Sequence, residues 1–181
     1  MIRAWRYRQG GDAPEEIGVD PLPEVTKDTL LWIDCDDPSG PELEMLGKQL
    51  ALNEFVVEDL ENGEQRTKLD HYSDHFHIAV HDCELSGDVS NPTATIDLVS
   101  REIDIVFGDG WLLSVRQPDH GGVGFPMDEV KRSFERQRVD EGTVDEGFLL
   151  WAILDVVVDR YFLVSGPPFF GPPLLLVVLM L

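Results

Sequence analysis

Carboxylates at two places in the sequence have the chemistry and spacing to interact with a divalent cation. Glu58 and Asp59 are adjacent in a segment predicted to be helical, so their side chains project about 100° apart. Asp155 and Asp159 are four residues apart, which places them on one face of another predicted helix. Mg²⁺ prefers oxygen ligands, keeps several waters and binds through one or two carboxylates. The alternative is that all four are solvated surface carboxylates.

Four histidines suggest a second kind of metal chemistry, because imidazole is a good ligand for zinc. Three of them alternate along a predicted strand and therefore share a face. Strand neighbours i and i+2 lie roughly 7 Å apart, too far for a compact site without ligands from another element. We therefore interpret them as histidines on a half-exposed strand. The four are His71, His75, His77 and His81.

The remaining reactive residues do not form a recognisable catalytic pattern. Cys35 and Cys83 have neither C-x-x-C nor zinc-site spacing, and both lie in apolar strand-like segments, which favours reduced, buried thiols. Neither has a paired base at a recognisable spacing. The glycine-rich residues 121–124 lack the flanking strand and helix of a phosphate-binding loop. We expect no catalytic residues, no nucleotide or organic cofactor, and no enzyme activity.

The charge of the chain limits its partners. Fourteen basic and thirty-five acidic residues give the 181-residue chain a formal net charge of -21. Phosphate backbones repel such a surface, so we expect no nucleic-acid binding. Divalent cations are attracted to it. Simple solubility, or adaptation to a salty cytoplasm, would produce the same composition.

The order of elements predicts one α+β domain with a mixed, largely antiparallel sheet and helices on both faces. Ser39 and Glu42 form a capping box at the start of one helix, and Asn53 is a cap for a second that carries Glu58 and Asp59. Two further helices are predicted over 126–138 and 144–162. The predicted strands are residues 1–8, 30–34, 75–83, 96–99, 103–107 and 111–115, the last two joined as a hairpin by Gly108-Asp109-Gly110.

Two stretches about 90 residues apart resemble a known family. The first is Glu58-Asp59 with the run QRTKLDHY at 65–72, and the second is GFLLWAILDVVVDRYF at 147–162. In this order they resemble the cytosolic N-terminal domain of CorA-type magnesium transporters, over roughly residues 30–162. Structural roles are expected for Arg66 and Lys68, as partners of local carboxylates, and for Trp151, Tyr161 and Phe162.

The resemblance implies a regulatory metal site between adjacent protomers. The positions of Glu58 and Asp59 line that site in the family, and the position of Asp155 contributes to a second one. The implied ligand is weakly bound Mg²⁺, with Co²⁺, Ni²⁺ or Zn²⁺ as alternatives. The implied parent protein is a homopentamer of the inner membrane, with this domain on the cytoplasmic face and the pore closed when cytosolic Mg²⁺ is plentiful.

The end of the chain departs from the family. A long stalk helix and two transmembrane helices with a glycine-methionine-asparagine motif would follow residue 162, and none is present. Residues 174–181 are wholly apolar but fall short of the roughly 20 residues that span a bilayer. We therefore predict a regulatory domain over 1–162 and a non-native or truncated continuation over 163–181. By this prediction the chain alone is soluble and cytoplasmic, and its parent meets the membrane only through the missing helices.

A different class of function is compatible with the same sequence. The predicted helix over 144–162 is apolar almost all round, which favours burial against other elements or another protein. The alternative is a soluble acidic interaction module that binds a partner protein through this helix, without metal or transport.

Overall fold

A seven-stranded mixed sheet forms the centre of the computed structural model, which describes residues 1–10, 13–87, 95, 97–117, 124–141 and 145–165. The strands are β1 (Ile2–Arg8), β2 (Glu15–Ile17), β3 (Thr29–Asp36), β4 (Lys68–His71), β5 (His75–Ser86), β6 (Asp97–Gly108) and β7 (Trp111–Arg116). The helices are α1 (Gly40–Gln49), α2 (Glu54–Asn62), α3 (Met127–Glu141) and α4 (Glu146–Ser165).

The strand order is β2-β1-β3-β7-β6-β5-β4. Every neighbouring pair is antiparallel except β3 and β7, which run parallel. The predicted fold class, α+β with a mixed and largely antiparallel sheet, is confirmed.

Apolar side chains cover both faces of the central strands, which is why helices lie on both. On β3, Leu30 and Trp32 pack with residues of α3 and α4, whereas Leu31, Ile33 and Cys35 pack with α1 and α2. Successive residues of a strand point to opposite faces. The α1–α2 pair and the α3–α4 pair are therefore separated by the sheet.

Local sequence signals place α1 and α2 as predicted. Glu42 Oε2 accepts hydrogen bonds from the backbone N–H of Ser39 at 2.8 Å and from Ser39 Oγ at 2.7 Å. Asn53 Oδ1 accepts from the backbone N–H of Phe55 at 2.9 Å. Such caps satisfy groups that have no partner within the helix. A Cβ on Gly47 would lie 2.7 Å from Val57 Cγ2, so α1 and α2 approach more closely than a larger residue at 47 would allow.

Two sheet predictions were wrong. The strands expected at 96–99 and 103–107 are parts of one continuous β6, in which Arg101, Glu102 and Asp104 are buried although their polarity interrupts the apolar pattern. The short strands β2 and β4 were not predicted, because polar residues dominate both. Residue 96, residues 121–123 of the glycine-rich stretch and the tail at 166–181 lie outside the described residues.

Buried ion pairs hold α4 against β5. Arg160 Nε donates to Asp82 Oδ1 at 2.5 Å, and Arg160 Nη2 donates to Glu84 Oε2 at 2.7 Å. Arg101 Nη1, from β6, reaches Asp82 Oδ2 at 3.2 Å. Tyr161 adds a hydrogen bond from its hydroxyl to the His81 carbonyl at 2.9 Å.

Among the described helices, none combines the length and apolarity needed to cross a bilayer.

We predict that Arg160→Met destabilises the domain by about 1–3 kcal/mol, because it removes the donor to the buried Asp82 Oδ1 and one of the two arginines that contact Glu84 Oε2. Urea denaturation measures the change in unfolding free energy. The matched control is Arg136→Met, which alters an exposed arginine of α3. Equal losses in the two variants would show that the Arg160 pairs do not hold α4.

Candidate functional site

The two acidic residues of α2 point in different directions, as their adjacency predicts. Glu58 is exposed to solvent. Asp59 is turned toward the sheet, and its side chain is only 25% exposed. Val56 and Leu60, which pack in the core, set this orientation of the helix. Glu58 is therefore available to a partner outside the chain, whereas Asp59 interacts within it.

Asp59 belongs to a cluster between α2, β4 and β5. Lys68 Nζ donates to Asp59 Oδ2 and lies 3.1 Å from Asp70 Oδ2. Asp59 Oδ2 also lies 3.9 Å from His77 Nδ1. In the β4–β5 register Asp70 is directly opposite His77, which brings these two side chains together. Asp59, Asp70 and His77 each offer one potential metal-ligand atom, and those atoms lie within 4.8 Å of one another.

Lys68 supplies the positive charge in this cluster. Burial alone would lower the pKa of Lys68, but its hydrogen bonds to Asp59 and Asp70, together with their charges, outweigh that effect and raise it. The ammonium is therefore held protonated between two carboxylates. The predicted pairing of Lys68 with local carboxylates is confirmed.

His77 also contacts a buried network of carboxyl groups on β6. His77 Nε2 and Asp104 Oδ1 are 2.8 Å apart, and both residues are fully buried. The neighbouring Glu102 accepts a hydrogen bond from the backbone N–H of Gln65 at 2.6 Å. Burial, reinforced by the charge of Asp104, raises the pKa of Glu102 to about 7. A proton retained on Glu102 supplies a donor to a site where Glu102 Oε1 and Asp104 Oδ2 are otherwise unpartnered acceptors.

Two of the four histidines depart from the predicted half-exposed strand, because His75 and His77 of β5 are buried. His81 is half-buried on the same strand, and His71 is exposed on β4. Burial also lowers the pKa of His81, with a smaller opposing effect from Asp104. Within the described ranges, His77 is the histidine that meets two other potential metal ligands.

Asp155 lies far from this cluster in the architecture. It is exposed on α4, across the sheet from α2. Asp159 is also exposed on α4. One chain therefore does not bring Asp155 together with Glu58 and Asp59. Trp151 and Phe162, for which structural roles were expected, are 44% and 48% exposed on the same helix.

Glu58 has acidic neighbours along a groove of about 490 Å³ between α1 and α2. Glu54 and Glu61 lie on the same helix at spacings of four and three residues, so the shared face could have been read from the sequence. Glu44 adds a carboxylate from α1. Lys48 of the same groove lies 3.3 Å from Glu44 Oε2. The negative charge around Glu58 therefore comes mainly from Glu54 and Glu61.

The sequence analysis did not predict that Asp70 and His77 lie beside Asp59 in one cluster. Asp70 stands in the quoted run at 65–72, and His77 was assigned correctly to the face opposite Phe76, Ile78 and Val80. Their proximity depends on the β4–β5 register, which local patterns did not reveal.

The two cysteine thiols are not activated nucleophiles. Burial, followed by the charge of Asp34, raises the pKa of Cys35 to about 12. Burial and the charge of Asp82 raise the pKa of Cys83 to about 11. Both are free and buried, so the predicted state of the cysteines is confirmed.

Comparison with known proteins connects this architecture with metal ion transport. The family model described as CorA-like Mg²⁺ transporter protein matches residues 27–166. A Schizosaccharomyces pombe protein that carries the name of a metal ion transporter is 22% identical over 130 residues, which are 72% of this chain and 15% of that protein.

Solved structures share the fold. The CorA magnesium transporter from Methanocaldococcus jannaschii matches 91% of this chain and 46% of its own, with 17% identity and a TM-score of 0.54. The ZntB cytoplasmic domain from Vibrio parahaemolyticus matches over 90% of this chain and 59% of its own, with 14% identity and a TM-score of 0.56. The chain thus spans less than two thirds of the length of each of these proteins.

We predict that Glu102→Gln removes a pH dependence of stability. An exposed glutamate in the unfolded chain ionises near its ordinary pKa of 4.5, whereas folded Glu102 keeps its proton up to about pH 7. The stabilising contribution is therefore complete below 4.5 and is lost as pH rises through about 7. Urea denaturation, measured from below pH 4.5 to above pH 7, should show that the variant gains stability relative to the wild type as the pH increases.

Glu129→Gln, at an exposed position of α3, is the matched control for the loss of a carboxyl group. If both variants followed the same pH profile relative to the wild type, Glu102 would not titrate as its surroundings require.

Proposed function

Since the chain belongs to the CorA-like Mg²⁺ transporter family, we propose that it is the cytosolic metal-sensing domain of a divalent cation transporter. The observation that carries this proposal is the family match over residues 27–166, which includes both α2 and α4. This is a family of transporters rather than a class of enzymes. Mg²⁺ is the proposed regulatory ion, with Co²⁺, Ni²⁺ or Zn²⁺ as alternatives.

The proposed parent protein is a homopentamer in the inner membrane, with this domain on the cytoplasmic face. Its pore and membrane helices belong to parts of the protein beyond the matched region. The chain spans less than half of the full-length CorA structure that it resembles, which is consistent with a domain of a larger transporter.

The positions of the exposed carboxylates support a site between protomers. Glu58 and Asp155 lie on opposite faces of the sheet, so they cannot meet within one chain but can meet across a head-to-tail contact. Contacts between two different surfaces generate closed rings when the rotation permits. In this proposal Glu58 and Asp155 contribute to two separate hydrated Mg²⁺ sites at the contact between protomers.

Asp59 has a different role from Glu58 in this proposal. Its carboxylate is already paired with Lys68, so it joins a shared site only by exchanging that ammonium for the cation. Glu58, which is exposed, needs no such exchange.

Electrostatic repulsion supplies the switch. With a formal charge of -21 per chain, adjacent domains repel one another unless cations lie between them. Bound Mg²⁺ would stabilise a closed ring, and its loss would free the domains to move. Few protein ligands and a hydrated ion imply roughly millimolar affinity, which suits a sensor of cytosolic Mg²⁺.

An apolar stripe on α4 favours a second candidate function, metal-independent binding of a protein partner. Trp151, Val158 and Phe162 are 44%, 47% and 48% exposed. Their spacings of seven and four residues place them along one side of the helix. This interaction module would bind through α4 without using the carboxylates.

We predict that Mg²⁺ raises the mass of the chain in solution and that Glu58→Gln or Asp155→Asn prevents the rise. Each variant removes one carboxylate from one of the two proposed sites. Light scattering coupled to size exclusion, at high protein concentration, measures the mass with MgCl₂ and with NaCl of equal ionic strength. The matched ionic strength separates bridging by Mg²⁺ from general screening.

Glu16→Gln is the control, because Glu16 is an exposed carboxylate on the distant strand β2. A mass that does not respond to Mg²⁺ would favour the interaction module. An Mg²⁺ response that survives both Glu58→Gln and Asp155→Asn would reject these residues as ligands.

A further inference from the structure

The cluster between α2, β4 and β5 is arranged as a cation site. An ammonium group, that of Lys68, lies between the carboxylates of Asp59 and Asp70. It is only 19% exposed. A positively charged group is thus already held where two carboxylate oxygens and one imidazole nitrogen converge.

His77 offers this cluster an unused nitrogen. The residue is 0% exposed, and its Nδ1 has no hydrogen-bond partner among the described residues. Its other nitrogen, Nε2, lies 2.8 Å from Asp104 Oδ1, and a carboxylate oxygen can only accept there. Nε2 therefore donates this hydrogen bond, which leaves Nδ1, 3.9 Å from Asp59 Oδ2, as the nitrogen that can bind a metal ion.

We propose that Asp59, Asp70 and His77 form a binding site for a divalent transition-metal ion within one chain, with Zn²⁺ as the best fit, and that the ion displaces the ammonium of Lys68. One imidazole nitrogen and two carboxylate oxygens are a ligand set that suits zinc and leaves a fourth position for water. Mg²⁺ prefers oxygen ligands alone, so this site discriminates against it.

The contact between His77 and Asp104 strengthens this assignment. Histidines that bind metals usually donate their other ring N–H to a carboxylate or carbonyl, which fixes the tautomer and the orientation of the ring. Here that partner is present, buried and at hydrogen-bond distance. Asp104 is thus a positioning residue for the proposed ligand His77.

The geometry requires only a small adjustment. The three ligand atoms lie within 4.8 Å of one another, somewhat farther apart than a tetrahedral ion with bonds of about 2 Å allows. Asp59 and Asp70 are 25% and 43% exposed, so their side chains have room to rotate inward while His77 stays fixed. Lys68 has a long flexible side chain that can extend into solvent.

Exchange of one cation for another keeps the carboxylates compensated in both states. With Lys68 in place, one ammonium offsets part of the charge of the two carboxylates; with metal bound, a divalent ion offsets both charges. Because the site shares only Asp59 with the proposed contact between protomers, the two can be tested separately. This inference does not depend on the proposed function.

The test is a titration of the 181-residue chain with Zn²⁺ in competition with a chromophoric chelator, with Co²⁺ as a spectroscopic probe of ligand geometry. We expect one equivalent of Zn²⁺ per chain. Asp70→Asn should weaken binding at least about tenfold, which is the size of effect that even indirect partners of metal ligands show. Lys68→Met should instead tighten it, because the competing ammonium is gone.

His77→Gln should abolish the site, and His81→Gln is its matched control on the same strand. Glu58→Gln and Asp155→Asn should leave zinc binding unchanged, whatever they do to Mg²⁺-dependent association. Circular dichroism and urea denaturation identify any variant that fails to fold. Asp70 is 43% exposed, so Asp70→Asn and Lys68→Met decide the question if His77→Gln unfolds.

The proposal is overturned if no stoichiometric Zn²⁺ binds. It is also overturned if binding survives Asp70→Asn unchanged, or if Lys68→Met weakens it. Tighter binding in Lys68→Met is informative, since structural damage would not produce it. A Zn²⁺-induced change in the ¹⁵N shift of His77 Nδ1, with Nε2 still protonated, would identify the ligand atom directly.

Discussion

Strands β5 and β6 place charged side chains in the interior, and each of these charges needs a partner. The positions of the helices depend on these pairings. These strands pair over twelve residues and place ionisable groups on both faces of the sheet. On one face Asp82 is neutralised by Arg101 and by Arg160 of α4. On the other, His77 and Asp104 form a buried pair below α2. Since an unpaired buried charge is costly, these contacts constrain where the helices can lie.

This arrangement gives the acidic chain a largely buried cation, the Lys68 ammonium, next to the acidic helix α2. Asp59 turns inward to Lys68 while Glu58, one residue earlier, faces solvent. The same short segment thus belongs both to an internal electrostatic cluster and to a surface that can meet another protomer.

The sheet also separates two surfaces that the proposed assembly would bring together. The acidic groove beside Glu58 and the stripe of α4 that contains Asp155 lie on opposite faces. A contact between them is necessarily head-to-tail, which is the geometry of a ring. The exposed apolar residues beside Asp155 would then add hydrophobic area to a contact whose carboxylates need a cation.

Local sequence patterns were sufficient for the caps of α1 and α2, the strand β3 and the alternation along β5, because each depends on residues close in sequence, at the helical or strand period. The order of these elements was sufficient for the α+β class, and two separate stretches were sufficient for the family resemblance. Tertiary structure alone decided that β6 is continuous, that His77 is buried, and that Asp70 and His77 meet Asp59. Those contacts depend on strand register and on helix docking between segments that are distant in sequence. The polarity of such residues suggests that they are exposed, but pairing of their charges allows them to be buried.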